Sequence, residues 1–241
     1  MPYVLLVILL SLPFWALAQV AQAEPLPGLP LSGLMAFVPA VAAILLVARA
    51  QGAAGVRALL ARSFDVRRVQ GRGAAWALVP LAVVVTWAPA LAQGGLAPQS
   101  SAVYWAPLVM LAAFFVAALG EELGWSAYLL EPLENRRGEL VAALLIGAFW
   151  AAWHLIPFLQ ADRSWEWIAW QTLKTVAARV IMVRLYVASG RSVFAVTLFH
   201  ALDNVAAFSL PMWGATYDPR LTALAMTVVA AALTLARRRA G

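Results

Sequence analysis

The 241-residue chain has no cysteine, two histidines and a single lysine, and only 12% of its residues are charged. The absence of cysteine excludes structural disulfides, thiolate nucleophiles and cysteine-ligated metals. An average soluble domain is about 25% charged and roughly 45–50% apolar, whereas here 64% of residues are hydrophobic. That balance excludes a soluble globular domain, a disordered chain and a disulfide-stapled secreted module. Internal repeats and low-complexity segments are also missing, as are the alternating stretches of about 10 residues that build a membrane β-barrel. A net charge of +6 would suggest nucleic acid for a soluble protein, but the apolar fraction excludes that partner. What remains is an all-α polytopic membrane protein, one domain over residues 1–241.

A membrane-crossing helix takes about 20 apolar residues, and such runs fall at 3–22, 33–50, 74–92, 105–130, 140–159, 167–188, 193–213 and 221–236. They predict about eight transmembrane helices joined by short loops. Arginine placement orients them. Arg49, the five arginines of segment 51–73, Arg136, Arg137, Arg191 and Arg237 to Arg239 share one side; Arg163 and Arg220 occupy the other. Basic loops stay in the cytoplasm, so both termini are predicted to be cytoplasmic. The preference for Arg over Lys suits a GC-rich bacterial genome, and hence an inner membrane whose lipids surround the bundle. Ala21-Gln22-Ala23 resembles a signal-peptidase site, but the segment before it lacks the Lys or Arg of such a signal, so retention is expected.

Ionisable residues inside spans are costly and face a cavity or a partner. Glu121 and Glu122 lie in the fourth span, His154 in the fifth, and His200 with Asn204 in the seventh. At 1.5 Å rise per residue all fit one layer of the bilayer, within a polar cavity of the bundle. His200 and Asn204 are i, i+4 and share a helix face. Glu121 and Glu122 diverge by about 100° around their axis, so only one can point squarely at a shared site and the other needs its own partner. Lys174, Arg179 and Arg184 lie along one side of the sixth span, where they could pair with acids or extend to the cytoplasmic surface.

Glu-Glu-Leu-Gly-Trp-x-x-Tyr-Leu-Leu at 121–130, Trp-x-x-x-His at 150–154 and His-x-x-x-Asn at 200–204 resemble, in order and spacing, the three motifs of the CPBP (CAAX protease and bacteriocin-processing, or Abi) family of intramembrane glutamate endopeptidases. The resemblance implies an eight-helix bundle with a cavity facing the cytosol and hydrolysis of a peptide bond in a lipidated or membrane-associated peptide or protein. It implies Glu121 as general base, His154 as its partner in activating water, His200 and Asn204 as the oxyanion hole, and Glu122 as support, with no cofactor and no metal. The family's first motif ends in Arg four residues after its second Glu, and Ser126 stands there. Glu122 must then be protonated, or draw its countercharge from a base such as Arg179 or Arg184. Two other readings stay open on the residues alone. Glu121, His154 and His200 could form a three-ligand zinc site, although no His-Glu-x-x-His helix is present. A family member lacking catalysis could act as a membrane scaffold or immunity protein.

Overall fold

A computed structural model describes residues 2–21, 30–70, 72–92, 94 and 96–240; Gln22 and Ala23 of the possible cleavage site lie outside them. The described residues are predominantly helical and contain no strand. The long elements are α1 (Pro2–Val20), α2 (Val38–Leu60), α3 (Leu81–Ala92), α4 (Ala106–Gly124), α5 (Glu131–Arg137), α6 (Glu139–Trp153), α7 (Leu155–Gln160), α8 (Trp165–Ala188), α9 (Val193–Ser209) and α10 (Pro219–Ala240). Six of the helical stretches are long and apolar enough to cross a membrane. The other two expected spans depart from that standard for local reasons. The run 74–92 forms a turn at Gly73–Trp76 and then α3, only 12 residues long. Pro80 lies between them; it offers no N–H and disfavours helical geometry at the residue before it. The α8 helix spans 24 residues but carries Lys174, Arg179 and Arg184 on its length, which lowers its mean hydropathy.

The fifth span is broken too. Pro157 lacks the N–H that would bond the Trp153 carbonyl, and α6 stops at Trp153 while α7 restarts at Leu155. His154 occupies the break with φ −83° and ψ −5°. This is the sparsely populated bridge region, where active-site residues are often found.

The α8 helix packs on α6 and α10, and α9 packs on α4 and α3, so α4, α6, α8 and α9 surround one interior. The α1 helix is built into that core: Tyr3, Val7 and Ser11 are buried, and Trp153 Nε1 donates to Ser11 Oγ at 2.8 Å. The two ends of the bundle differ. At the arginine-rich end, Asp65 accepts from Ser192 Oγ (2.8 Å) and from the amides of Val193 (3.2 Å) and Phe194 (3.1 Å), capping α9 from a distant loop. At the other end aromatic rings cluster, with Trp87 and Trp213 at 5.8 Å and Phe158 and Trp167 at 5.2 Å between centroids. Such belts sit at membrane–water interfaces.

Candidate active site

The glutamate pair reaches the interior because α4 approaches its neighbours closely. A Cβ at Gly120 would lie 2.8 Å from the Ala36 carbonyl oxygen, and one at Gly124 would lie 2.6 Å from that of Pro39. Larger residues would push α4 off the start of α2. After Gly124 the hydrogen bonding widens to a π-helix over Trp125–Leu130, a rare feature that recurs at functional sites. Within it, Trp125 and Ser126 are buried and reach back to the carboxylates four residues earlier.

Glu122, fully buried, is saturated. Arg179 grips it with two prongs, Nη1 to Oε2 at 2.8 Å and Nη2 to Oε1 at 3.0 Å. Ser126 Oγ donates to Oε2, and His200 Nδ1 lies 3.1 Å from Oε1. Paired fork-to-fork contacts of this kind are among the strongest protein hydrogen bonds. The countercharge that position 126 does not supply therefore comes from α8. Gly147 permits it: a Cβ there would meet Val176 Cα at 3.1 Å and Arg179 Cβ at 3.2 Å, so α6 and α8 can close on each other at this level.

Glu121, also buried, has neutral donors only. Its Oε2 accepts from Trp150 Nε1 at 2.5 Å and from Trp125 Nε1 at 3.4 Å, and its Oε1 is 4.0 Å from His200 Nε2. The Trp150 ring is the hub. Its centroid is 5.0 Å from that of His200 and 5.7 Å from that of His154, both edge-on, and the Arg179 guanidinium lies 4.4 Å over it.

Glu121, Glu122 and His200 are thus brought into direct contact. His154 joins them through Trp150, and its Nδ1 is 2.9 Å from the Trp150 carbonyl oxygen. That oxygen can only accept, so Nδ1 carries the proton and Nε2 is left as the acceptor. Asn204 is half-buried on the His200 face, and its side chain makes no hydrogen bond among the described residues. No group of three acidic or histidine side chains is placed to hold a metal ion among the described residues. The three bases of α8 all pair with acids: Lys174 with Asp203, Arg179 with Glu122, and Arg184 with Glu139 at 2.7 Å. Trp125, Gly147 and Asp203 were not singled out by sequence reasoning. Asp203 stands beside Asn204 as an acid inside a span, and Trp125 lies four residues after Glu121, both usable signals; Gly147 acts through contacts that no spacing reveals.

The family model for the type II CAAX prenyl endopeptidase Rce1-like proteins matches residues 103–206, the stretch that holds every residue of this cluster. The CAAX prenyl protease 2 of Methanococcus maripaludis is 23% identical over 193 residues, covering 73% of this chain and 69% of that protein. At family level these matches support a CAAX-type membrane protease. Over residues 103–206 the chain is thus similar to the Rce1-like CAAX prenyl endopeptidases.

Proposed function

We propose that the chain is an intramembrane endopeptidase that cuts a peptide bond of a lipidated or membrane-associated substrate, working in a bacterial inner membrane with its arginine-rich end and both termini in the cytoplasm. The observation that carries this reading is the sorting of two adjacent buried carboxylates. Glu122 is consumed by Arg179, Ser126 and His200, while Glu121 has neutral donors and no cation of its own. Such a carboxylate can take a proton from water. The unprotonated Nε2 of His154 helps orient that water, and the resulting hydroxide attacks the carbonyl carbon.

His200 and Asn204 then stabilise the oxyanion. Arg179 is always charged, so the Glu122 it grips is a carboxylate that can only accept, and His200 Nδ1 must carry a proton towards it. Donation to an oxyanion from Nε2 as well requires a proton on that nitrogen when substrate is bound. Preorganised donors of this sort contribute most where water is excluded. Glu121 finally passes its proton to the leaving amine. Ser126 does not weigh against catalysis, because Arg179 fills the electrostatic role from another helix.

The test is turnover of a fluorogenic prenylated peptide by purified protein. Glu121→Gln is expected to lower kcat by about 10²–10⁴-fold, the usual contribution of a general base, with the thermal unfolding midpoint unchanged. Wild-type turnover in that variant would overturn the assignment.

A further inference from the structure

Each bond cut consumes one water, and the proposed site is walled by apolar helices, so water needs a way in. Towards the arginine-rich end the described residues pack tightly. Beneath Arg179 and His200 the interior is filled by Trp125, Ile181, Leu185 and Val196, each 0% exposed, with Leu130 and Met182 at 1%. The opposite direction is different in kind. His154 and Asn204 are only half-buried, and polar residues continue from the site in a row towards that end. Asp203 follows His200 by three positions and so shares its helix face. It pairs with Lys174 of α8. One turn further, Gln171 accepts a hydrogen bond from the Tyr217 hydroxyl at 2.7 Å. Tyr217 in turn lines an open cavity of about 340 Å³, whose rim includes Ser164, Asp218 and Arg220.

This row is under-satisfied. Asp203 is 3% exposed and its Oδ1 has no hydrogen-bond partner. Lys174 is 6% exposed and has three N–H groups, for which Asp203 is the only acceptor among the described residues. A buried ion pair within a bilayer costs several kcal/mol unless its remaining valences are filled. Buried water, with roughly three hydrogen bonds each, commonly fills such places. Tyr217, in the loop before α10, fits the same picture: burial, and next the Asp203 carboxylate, push its phenol well above the ordinary value, so it keeps its proton and donates to Gln171.

We infer that Tyr217, Gln171, Lys174 and Asp203 form a hydrated route that delivers water to the catalytic layer from the aromatic end of the bundle. In the orientation proposed above this end faces away from the cytosol, opposite to the cytosol-facing cavity that the family resemblance implies. The inference rests on the peptidase reading for its purpose, but its test does not require turnover.

The natural chain has no cysteine, so single cysteines report water contact without background. Full-length protein in membrane vesicles of either orientation is treated with an anionic, membrane-impermeant methanethiosulfonate. Tyr217→Cys and Gln171→Cys are expected to label from the same face. Their rates should exceed those of Ile181→Cys, beneath the site, and Leu173→Cys, on the exposed face of α8, by at least about tenfold, because a thiol in apolar surroundings rarely ionises. Labelling of Tyr217→Cys with a silent Gln171→Cys would overturn the route, as would faster labelling of Ile181→Cys from the arginine-rich face. Repeating the series in Glu121→Gln separates the two proposals. Labelling that survives there stands whatever becomes of the mechanism, and a dry row in an active enzyme removes the route alone. Gln171→Leu gives an unlabelled reading: slower water delivery lowers kcat and leaves KM unchanged. A KM rise in Lys174→Gln for free-acid but not amidated peptides would instead make the row a carboxylate subsite and overturn the water route.

Discussion

The wall of the site built around Glu122 and the wall built around Glu121 start from adjacent residues on one helix, yet they follow opposite rules. On the Glu122 side the carboxylate accepts four hydrogen bonds: two from Arg179, one from Ser126 and one from His200. On the Glu121 side two indoles hold the carboxylate in place without neutralising it, and His154 and Asn204 are only half-buried. Beneath the first wall the described residues are apolar and packed; from the second a polar row leads outwards. A rigid, satisfied half can hold a reactive half in position, and the two are joined at Arg179, which grips Glu122 and covers the Trp150 ring that holds Glu121.

Breaking the satisfied wall is expected to have the larger effect on stability. Arg179→Met leaves Glu122 as a buried charge without its partner, and removing one member of such a pair costs about 3–5 kcal/mol. The loss would be read as a lower unfolding midpoint in detergent together with lower kcat. Position 126 is i+4 from Glu122, within reach of the same carboxylate along α4. The double variant Arg179→Met, Ser126→Arg is therefore expected to regain stability and part of its turnover, which a general packing defect at 179 would not allow. Absence of any rescue would show that Arg179 matters for its place over Trp150 and not for its charge on Glu122.

Much of this contrast can be read in the sequence, up to a definite point. The apolar runs mark the bundle, and the rarity of polar residues within them isolates Glu121, Glu122, His154, His200 and Asn204. The about 100° between successive residues already requires separate partners for the two glutamates. Which base answers Glu122 is not legible, because Arg179 and Arg184 differ only in which neighbour their part of α8 meets, and that is decided by the close approach at Gly147. Hydropathy also hides breaks. Pro80 and Pro157 are plain in the sequence, but an apolar average runs straight through them, so the third run reads as one helix and the kink that presents His154 does not show. The row from Asp203 to Tyr217 is invisible for another reason: its members come from α8, α9 and a loop, and only tertiary packing lines them up.

A smaller effect is expected where the walls meet. Trp150→Phe keeps a ring between the histidines and beneath Arg179 but removes the indole N–H from Glu121. A hydrogen bond to a charged group is worth about 1.5–3 kcal/mol. If Trp150 positions the base, that loss appears in kcat, with little change in KM or in the unfolding midpoint. A midpoint that falls while kcat holds would move Trp150 from the reactive wall to the satisfied one.

The smallest effect is expected furthest from the chemistry, at the cap of α9. Asp65 accepts from Ser192 Oγ and from the amides of Val193 and Phe194, so a loop between α2 and α3 fixes the start of the helix that carries His200 and Asn204. A capping side chain is worth about 0.5–2 kcal/mol, and a carboxylate there also meets the positive end of the helix dipole. Asp65→Ala should lower stability by about that amount, read as a lower unfolding midpoint, and leave kcat nearly unchanged. The reason is that Arg179 and Glu122 grip His200 two turns further on, within the satisfied wall, and hold the ring whether or not the helix end frays. Asp65→Asn keeps an acceptor and should recover part of the loss. If kcat falls with the cap while the midpoint holds, the position of His200 is set from the helix end, and the Glu122 wall is not what holds the site together.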